Sequence, residues 1–229
     1  MNGIRGVQIA GTGHYLPEKI LTNQDLEKVV DTTDEWIRTM TGMKHRHVAA
    51  PEQATSDLCV EAAKKALEDA NMTPDDIDLI IVGTLTPDMM FPATGPLVQN
   101  KLGCRKIPAF DYSIACSGYI YGLSIAKQFV ACGTYNNVLV ITGEILTRIT
   151  DYTDRNTAVL FGDAASAAIV TPSEKNKFLG FSLGSDGSET DLLYQPAGGS
   201  KIPASHESID QRLHYLKMEG PSIFRLAVN

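Results

Sequence analysis

The sequence predicts an α/β fold, a mixed and mostly parallel sheet with helices on both faces. Two continuous apolar runs, 78–85 and 137–142, read as strands covered on both sides. The segment 56–70 reads as an amphipathic helix. Leu58, Ala62, Ala66 and Leu67 share one face, while Glu61, Lys64, Lys65, Glu68 and Asp69 face water. Strands alternate with helices as far as residue 145, the pattern that builds a parallel sheet.

In chain order, Val7 to Ala10 is a short apolar run, closed by Gly11, Gly13 and Leu16-Pro17 as a turn. Thr22 or Asn23 is placed to cap a short helix from Gln24 to Val30. Thr32 or Thr33 caps the next helix, Asp34 to Thr41, and Gly42 ends it. Thr94 caps a helix that runs to Leu102 and stops at Gly103. Ala158 to Phe161 and Ala164 to Val170 read as two strand pieces broken at Gly162-Asp163. Pro172 to Lys177 is polar and turn-rich, the expected boundary between a first domain (1–172) and a second (173–229). Phe178 to Leu183 reads as a further strand, and 184–205 as a long loop of the kind that covers a site. A helix begins at Glu219 and reaches Asn229 about two turns later without a C-cap. That ending is the sign expected of a truncated product.

Composition narrows the function. The 229 residues carry a net charge of −7 and no basic tract, which argues against a nucleic-acid partner. No apolar run is long enough to span a membrane, and Met1 to Gly6 opens no signal-peptide core, so a cytoplasmic location is expected. The four cysteines, Cys59, Cys104, Cys116 and Cys132, form no C-x-x-C pair and have no histidine spacing to match. Neither a metal site nor disulfides are expected.

Cys116 is the candidate nucleophile. A short apolar run ends in small residues, the cysteine follows, and an amphipathic segment continues to about Ala131. Unpaired N–H groups at a helix start favour an anionic sulfur, and Ala115, Ser117 and Gly118 leave room for a substrate. The same pattern fits a buried structural cysteine. Trp36, the only tryptophan, reads either as a core anchor or as a flat surface for a nucleotide base. Lys44-His-Arg-His47 reads as a solvated basic loop or a phosphate contact. Phe91 is either folded back on its own core or an exposed contact to a second subunit.

An ordered set of motifs adds a resemblance. Asp31-Thr-Thr-Asp-Glu-Trp-Ile37, Thr41-Gly-Met43, Phe110-Asp-Tyr-Ser-Ile-Ala-Cys-Ser-Gly118, Thr153-Asp-Arg-Asn-Thr157, Phe161-Gly-Asp163 and Pro196-Ala-Gly-Gly199 occur in one order and spacing. Together they resemble β-ketoacyl-acyl carrier protein synthase III, a thiolase-fold condensing enzyme of fatty-acid initiation. The likeness spans essentially the whole chain.

The resemblance implies a thiolase-like duplicated fold, of which this chain holds the first half and the start of the second. It implies that Cys116 takes an acyl group from an acyl-CoA, usually acetyl-CoA, and passes it to malonyl-acyl carrier protein. It assigns Trp36 and Arg155 to the two faces of the CoA adenine, Thr32 to the nucleotide and Gly220 to the pantetheine path. Phe91, reaching across a homodimer interface, and Leu146, Leu160 and Phe161 are assigned to the acyl pocket. Arg225 is assigned to docking of the acidic carrier protein. CoA enters as a substrate thioester, and no tightly bound cofactor is implied.

Decarboxylation in the family needs a His and an Asn. None of His14, His45, His47, His206 or His214 stands in the family's His-Gln-Ala-Asn context, so these 229 residues are expected not to complete the condensation. Met40 stands where many members have Arg near CoA, and Ala164 where a glycine is common. The competing readings are another thiolase-fold Cys enzyme (hydroxymethylglutaryl-CoA synthase-like or of secondary metabolism) and a non-catalytic CoA-binding half.

Overall fold

A computed structural model of the chain describes residues 4–228; Asn229, where the sequence reading ends its last helix, lies outside them. In chain order the elements are β1 (Gly6–Tyr15), β2 (Lys19–Thr22), α1 (Asn23–Leu26), α2 (Asp34–Thr41), β3 (His45–Val48), α3 (Thr55–Ala70) and β4 (Leu79–Gly83). There follow α4 (Thr94–Leu102), β5 (Ala109–Tyr112), α5 (Gly118–Ala131), β6 (Val138–Ile145), α6 (Arg155–Ala158) and β7 (Asp163–Ser173). The last elements are β8 (Leu193–Tyr194), α7 (His206–Asp210), β9 (Lys217–Met218) and α8 (Gly220–Val228). The chain forms two compact units that interleave along the sequence: 1–18 with 49–145 and 163–183, and 19–48 with 146–162 and 184–229. These units follow contacts in space, whereas the expected division at 172/173 concerns halves of the sequence.

The first unit is built on a five-stranded sheet of order β1-β7-β6-β4-β5. β6-β4 and β4-β5 are parallel, while β1-β7 and β7-β6 are antiparallel, so the sheet is mixed with its parallel pairs at one side. Alternation along the strands fills two cores. Ile80, Val82, Leu139, Ile141 and Ile169 face α3, packing on Leu58, Ala62 and Ala66. Leu79, Ile81, Val138, Val140 and Val170 face α5, packing on Leu123, Ala126 and Val130. Each such fully buried aliphatic side chain contributes about 1.5–3 kcal/mol.

Several elements differ from the sequence expectation, each for a physical reason. Gly11 and Gly13 do not close a turn. They lie inside β1, because α3 crosses the strand so closely that a Cβ on Gly13 would sit 2.2 Å from the Ala62 carbonyl oxygen. The helix expected over 24–30 is only the four residues of α1, although Thr22 caps it as expected by accepting from the Asp25 N–H. α4 is not capped by Thr94. The Asp111 carboxylate, reaching over from β5, accepts the N–H groups of Thr94 and Gly95 at 2.6 Å each. Residues 155–158 are a helical turn capped by the Asp154 side chain, and the strand after them is one continuous ladder from Asp163. The segment 178–183 pairs with no strand; Phe178 and Phe181 stack on each other and pack against the α5 core instead. Ala164 is extended in β7 opposite Glu144, so it meets none of the left-handed strain a glycine position implies. Among the described residues, no helix is long and apolar enough to cross a membrane.

The second unit is smaller. β2 and β3 pair antiparallel, β8 pairs with β9, and Leu26, Ile37 and Val159 form a buried apolar centre with Leu21, Met43, Tyr152 and Leu160 around it. α2 matches its expected span: Thr33 accepts from the Trp36 N–H, and Gly42 ends the helix at φ 74°.

The Gly13 crossing yields a stability test. Gly13→Ala forces α3 off the strand through a backbone clash, and should lower unfolding free energy by about 3 kcal/mol in a denaturant titration. A loss below about 0.5 kcal/mol would show that the helix has room to shift.

Candidate functional sites

In the first unit, Cys116 lies on a single helical turn, 115–117, between β5 and the first residue of α5. The thiol is exposed. Ala115, beside it, holds φ 49°, a left-handed conformation that costs a non-glycine residue about 1 kcal/mol and persists only when its surroundings impose it. Those surroundings are visible. The Tyr112 ring sits against Gly83 and Gly122, where an added Cβ would lie 2.8 Å and 2.2 Å from its atoms, and its hydroxyl donates to the Gly118 carbonyl at 2.7 Å. Burial pushes the Tyr112 phenol well above its ordinary pKa, so it stays a neutral donor.

The other cysteines differ in setting. Burial raises the Cys59 thiol strongly and pushes Cys104 up to about 11, which keeps both protonated at neutral pH. Cys132 is exposed at the far end of α5.

Beyond β4, the loop that carries Phe91 is tied down by Glu144. Its carboxylate accepts from the Leu85 N–H at 2.7 Å, the Thr86 N–H at 3.0 Å and the hydroxyls of Thr84 and Thr86. Burial raises the pKa of Glu144 against the opposing pull of these donors. The loop borders an open cleft of about 320 Å³ with Thr84, Met89, Asp111, Tyr112 and Ser113 among its walls. Phe91 does not fold back on its own core: it is 87% exposed, with Met90 beside it at 82%.

In the second unit the structure brings Trp36 and Arg155 together. The Arg155 guanidinium lies 4.1 Å from the centre of the indole. The Nε of Arg155 is buried without a hydrogen-bond partner, and so is the hydroxyl of Thr32, just before the α2 cap. Leu146, Leu160 and Phe161 are half-buried in this unit. Gly220 opens α8, where a Cβ would meet only the Met218 methyl at 3.6 Å. Arg225 is exposed on α8 and contacts Ser222. Met40 is exposed on α2.

The basic run 44–47 is not a uniformly solvated loop. It enters β3 with Lys44 and His45 outward and Arg46 buried, because strand alternation turns Arg46 inward opposite Leu21. Sequence reasoning missed Arg46, Asn23, Tyr112 and Glu144. None of them carries a local signal, since the run His45-Arg-His47 shows no apolar alternation. Among the described residues, no group of three or more His, Cys, Asp or Glu side chains gathers to hold a metal.

A mixed sheet flanked by α3 and α5, with a thiol on the turn before α5, defines a thiolase-like condensing enzyme. The chain resembles the crystal structure of 3-oxoacyl-acyl-carrier-protein synthase III from Aquifex aeolicus, with a TM-score of 0.85 and 45% identity, covering 96% of this chain and 67% of that one. It also resembles a priming β-ketosynthase of the R1128 polyketide pathway, with a TM-score of 0.88, 32% identity, and coverage of 100% and 67%. Residues 110–187 match the family profile of 3-oxoacyl-acyl-carrier-protein synthase III. The β-ketoacyl-acyl-carrier-protein synthase III of Caldanaerobacter subterraneus subsp. tengcongensis is 59% identical over 221 residues, covering 96% of this chain and 67% of the relative. The chain belongs to the β-ketoacyl-acyl-carrier-protein synthase III family of enzymes, and spans about two thirds of the length of these relatives.

One ion pair stabilises the second unit in a pH-dependent way. Arg212, itself at φ 58°, donates to both oxygens of Asp151, at 3.0 and 2.5 Å, and stacks on Tyr215. The Arg212 hydrogen bonds hold the Asp151 carboxyl well below the usual carboxylate range, with Thr153 assisting. A carboxyl with a lowered folded-state pKa stabilises fully above its unfolded value, about 4, and that contribution fades as pH falls from there and is gone only below the much lower folded value. Arg212→Ala should therefore lower the denaturation midpoint at pH 7, and the difference from wild type should narrow toward pH 3. A difference that persists undiminished at pH 2 would assign the loss to packing.

Proposed function

We propose that Cys116 accepts an acyl group from an acyl-CoA primer, acetyl-CoA in the simplest case, in the first half-reaction of a decarboxylative condensation of fatty-acid initiation. The observation that carries this reading is the exposed thiol on a constrained turn at the head of α5, in a chain of this family. The Cys116 sulfur attacks the thioester carbonyl, the carbon–sulfur bond to CoA breaks, and CoA leaves as the thiol after taking a proton. The backbone N–H of Cys116 supports the developing oxyanion.

Trp36 and Arg155 are proposed to hold the CoA adenine, with Thr32 near the nucleotide and Gly220 along the pantetheine. A base stacked between indole and guanidinium needs about 7 Å, two layers of van der Waals contact. Arg155, at 4.1 Å, must therefore swing outward as the base enters. Its unpartnered Nε means that no hydrogen bond at that atom resists the movement. Phe91, Leu146, Leu160 and Phe161 are proposed to line the acyl pocket. An 87% exposed Phe91 suits burial by the second subunit of a homodimer. Arg225 is proposed to meet malonyl-acyl carrier protein. CoA is substrate rather than resident cofactor, and a cytoplasmic location goes with this chemistry.

In the second half-reaction malonyl-acyl carrier protein loses CO2, and its carbanion takes the acyl group from Cys116. A polypeptide of these 229 residues is proposed to stop before that step, because none of its five histidines has the context of the decarboxylating pair. Incubation with acetyl-CoA should add about 42 Da to the Cys116 peptide in mass spectrometry, with release of CoA and no adduct in Cys116→Ser. Further addition of malonyl-acyl carrier protein should yield no acetoacetyl product. An adduct at another residue would overturn the nucleophile assignment, and a Cys116-dependent acetoacetyl product would overturn the predicted stop.

A further inference from the structure

Arg46 is 4% exposed, and among the described residues no carboxylate oxygen accepts a hydrogen bond from it. A charge buried this deeply is destabilising unless its N–H groups are answered. Two groups answer it. The Val159 carbonyl, just beyond α6, accepts from Nε at 3.0 Å and from one terminal nitrogen. The side-chain oxygen of Asn23 accepts from the other.

Asn23 is itself wholly buried at the start of α1. Its amide nitrogen donates to an Asp34 carboxylate oxygen at 2.7 Å and to the Met43 carbonyl at 2.9 Å. The result is a relay of cation, amide and carboxylate that runs from the end of α6 to the first turn of α2. Glu27 reinforces the far end by accepting the Asp34 N–H at 2.6 Å. Trp36 stands two residues after Asp34, and Arg155 four residues before Val159. The apolar centre of Leu26, Ile37 and Val159 packs alongside the same elements.

We infer that Arg46 and Asn23 are positioning residues for nucleotide binding: the Arg46–Asn23–Asp34 relay sets the spacing of the Trp36 and Arg155 faces. Neither residue reaches the ligand. Each acts through α2 and α6, which carry the two stacking groups. A hydrogen bond to a charged group is worth enough that its loss should weaken ligand binding about tenfold once the helices drift. The inference rests on the proposal that Trp36 and Arg155 hold the CoA adenine.

The test compares wild type, Trp36→Ala and Asn23→Ala, by calorimetric titration with CoA and by the rate of Cys116 acetylation. Acetylation is measured with acetyl-CoA and with S-acetyl-N-acetylcysteamine, which has no nucleotide. Asn23→Ala should raise the Kd for CoA and the half-saturating acetyl-CoA concentration about tenfold. The maximal rate and the rate with the nucleotide-free thioester should hold. Because Trp36 is the only tryptophan, its emission in the ligand-free protein should shift as the guanidinium stack loosens.

If Trp36→Ala weakens CoA binding and Asn23→Ala does not, the positioning role is wrong and the nucleotide site stands. If Trp36→Ala leaves CoA binding unchanged, the nucleotide site falls and this inference with it. Equal losses with both thioesters in Asn23→Ala would show a general structural role and overturn the inference. Should Asn23→Ala fail to fold, Asp34→Asn removes the charge at the end of the relay, together with a partly exposed 3.5 Å ion pair to Arg38. It should shift CoA affinity in the same direction, and an unchanged affinity there would also overturn the proposal.

Discussion

The Tyr112 ring occupies a slot that only glycine leaves open. Gly83 on β4 and Gly122 on α5 give it room, and its hydroxyl closes onto the Gly118 carbonyl. This single wedge fixes both ends of the turn that carries Cys116: the strand before it and the helix after it. The left-handed Ala115 can then be held in place, because the chain on either side has nowhere to relax. A thiol on a loose loop would be exposed equally well, but would not be presented in one geometry. Exposure supplies access, and the wedge supplies orientation.

The same economy holds in the second unit, with polar groups in place of a ring. A buried guanidinium is a poor source of net stability, since desolvation offsets much of what its hydrogen bonds contribute. What it adds is direction: Arg46 has acceptors at the end of α6 and on Asn23, and those define where the flanking helices lie. The Asp151–Arg212 pair does similar work further along the unit, joining 146–162 to the segment that leads into α8. In both cases a long side chain from one stretch of sequence holds another stretch far away along the chain.

Much of the fold could be read from the sequence where the signal was local. The span of α2 and its end at Gly42, the buried strands β4 and β6, the helical stretch of α3 and the strand–turn–helix around Cys116 all follow from periodicity and capping residues, while the start of α2 lay between Thr32 and Thr33. Gly11 and Gly13 were misread because a glycine that admits a crossing helix looks the same in sequence as one that makes a turn. The cap of α4 was misread because Asp111 lies 17 residues away. Within the sites, Trp36 and Arg155 were paired by resemblance, and the structure brings them into contact. Glu144, Asn23 and Arg46 went unrecognised as organising residues because partners of each are distant in sequence, and Tyr112 because one wall of its slot is Gly83 on another strand. No window of neighbouring residues shows that an Arg in a basic run faces inward.

If the fold presents Cys116 for reaction, its thiol must outpace other exposed thiols of the same chain. Peptide-resolved alkylation by iodoacetamide tests this, with Cys132 as an exposed reference in the same molecule. Cys116 should react about tenfold faster than Cys132. It should lose that lead in Gly122→Ala, where the new methyl displaces Tyr112, while Cys132 reacts as before. Equal rates in the wild-type protein, or an undiminished lead in a folded Gly122→Ala variant, would contradict the account.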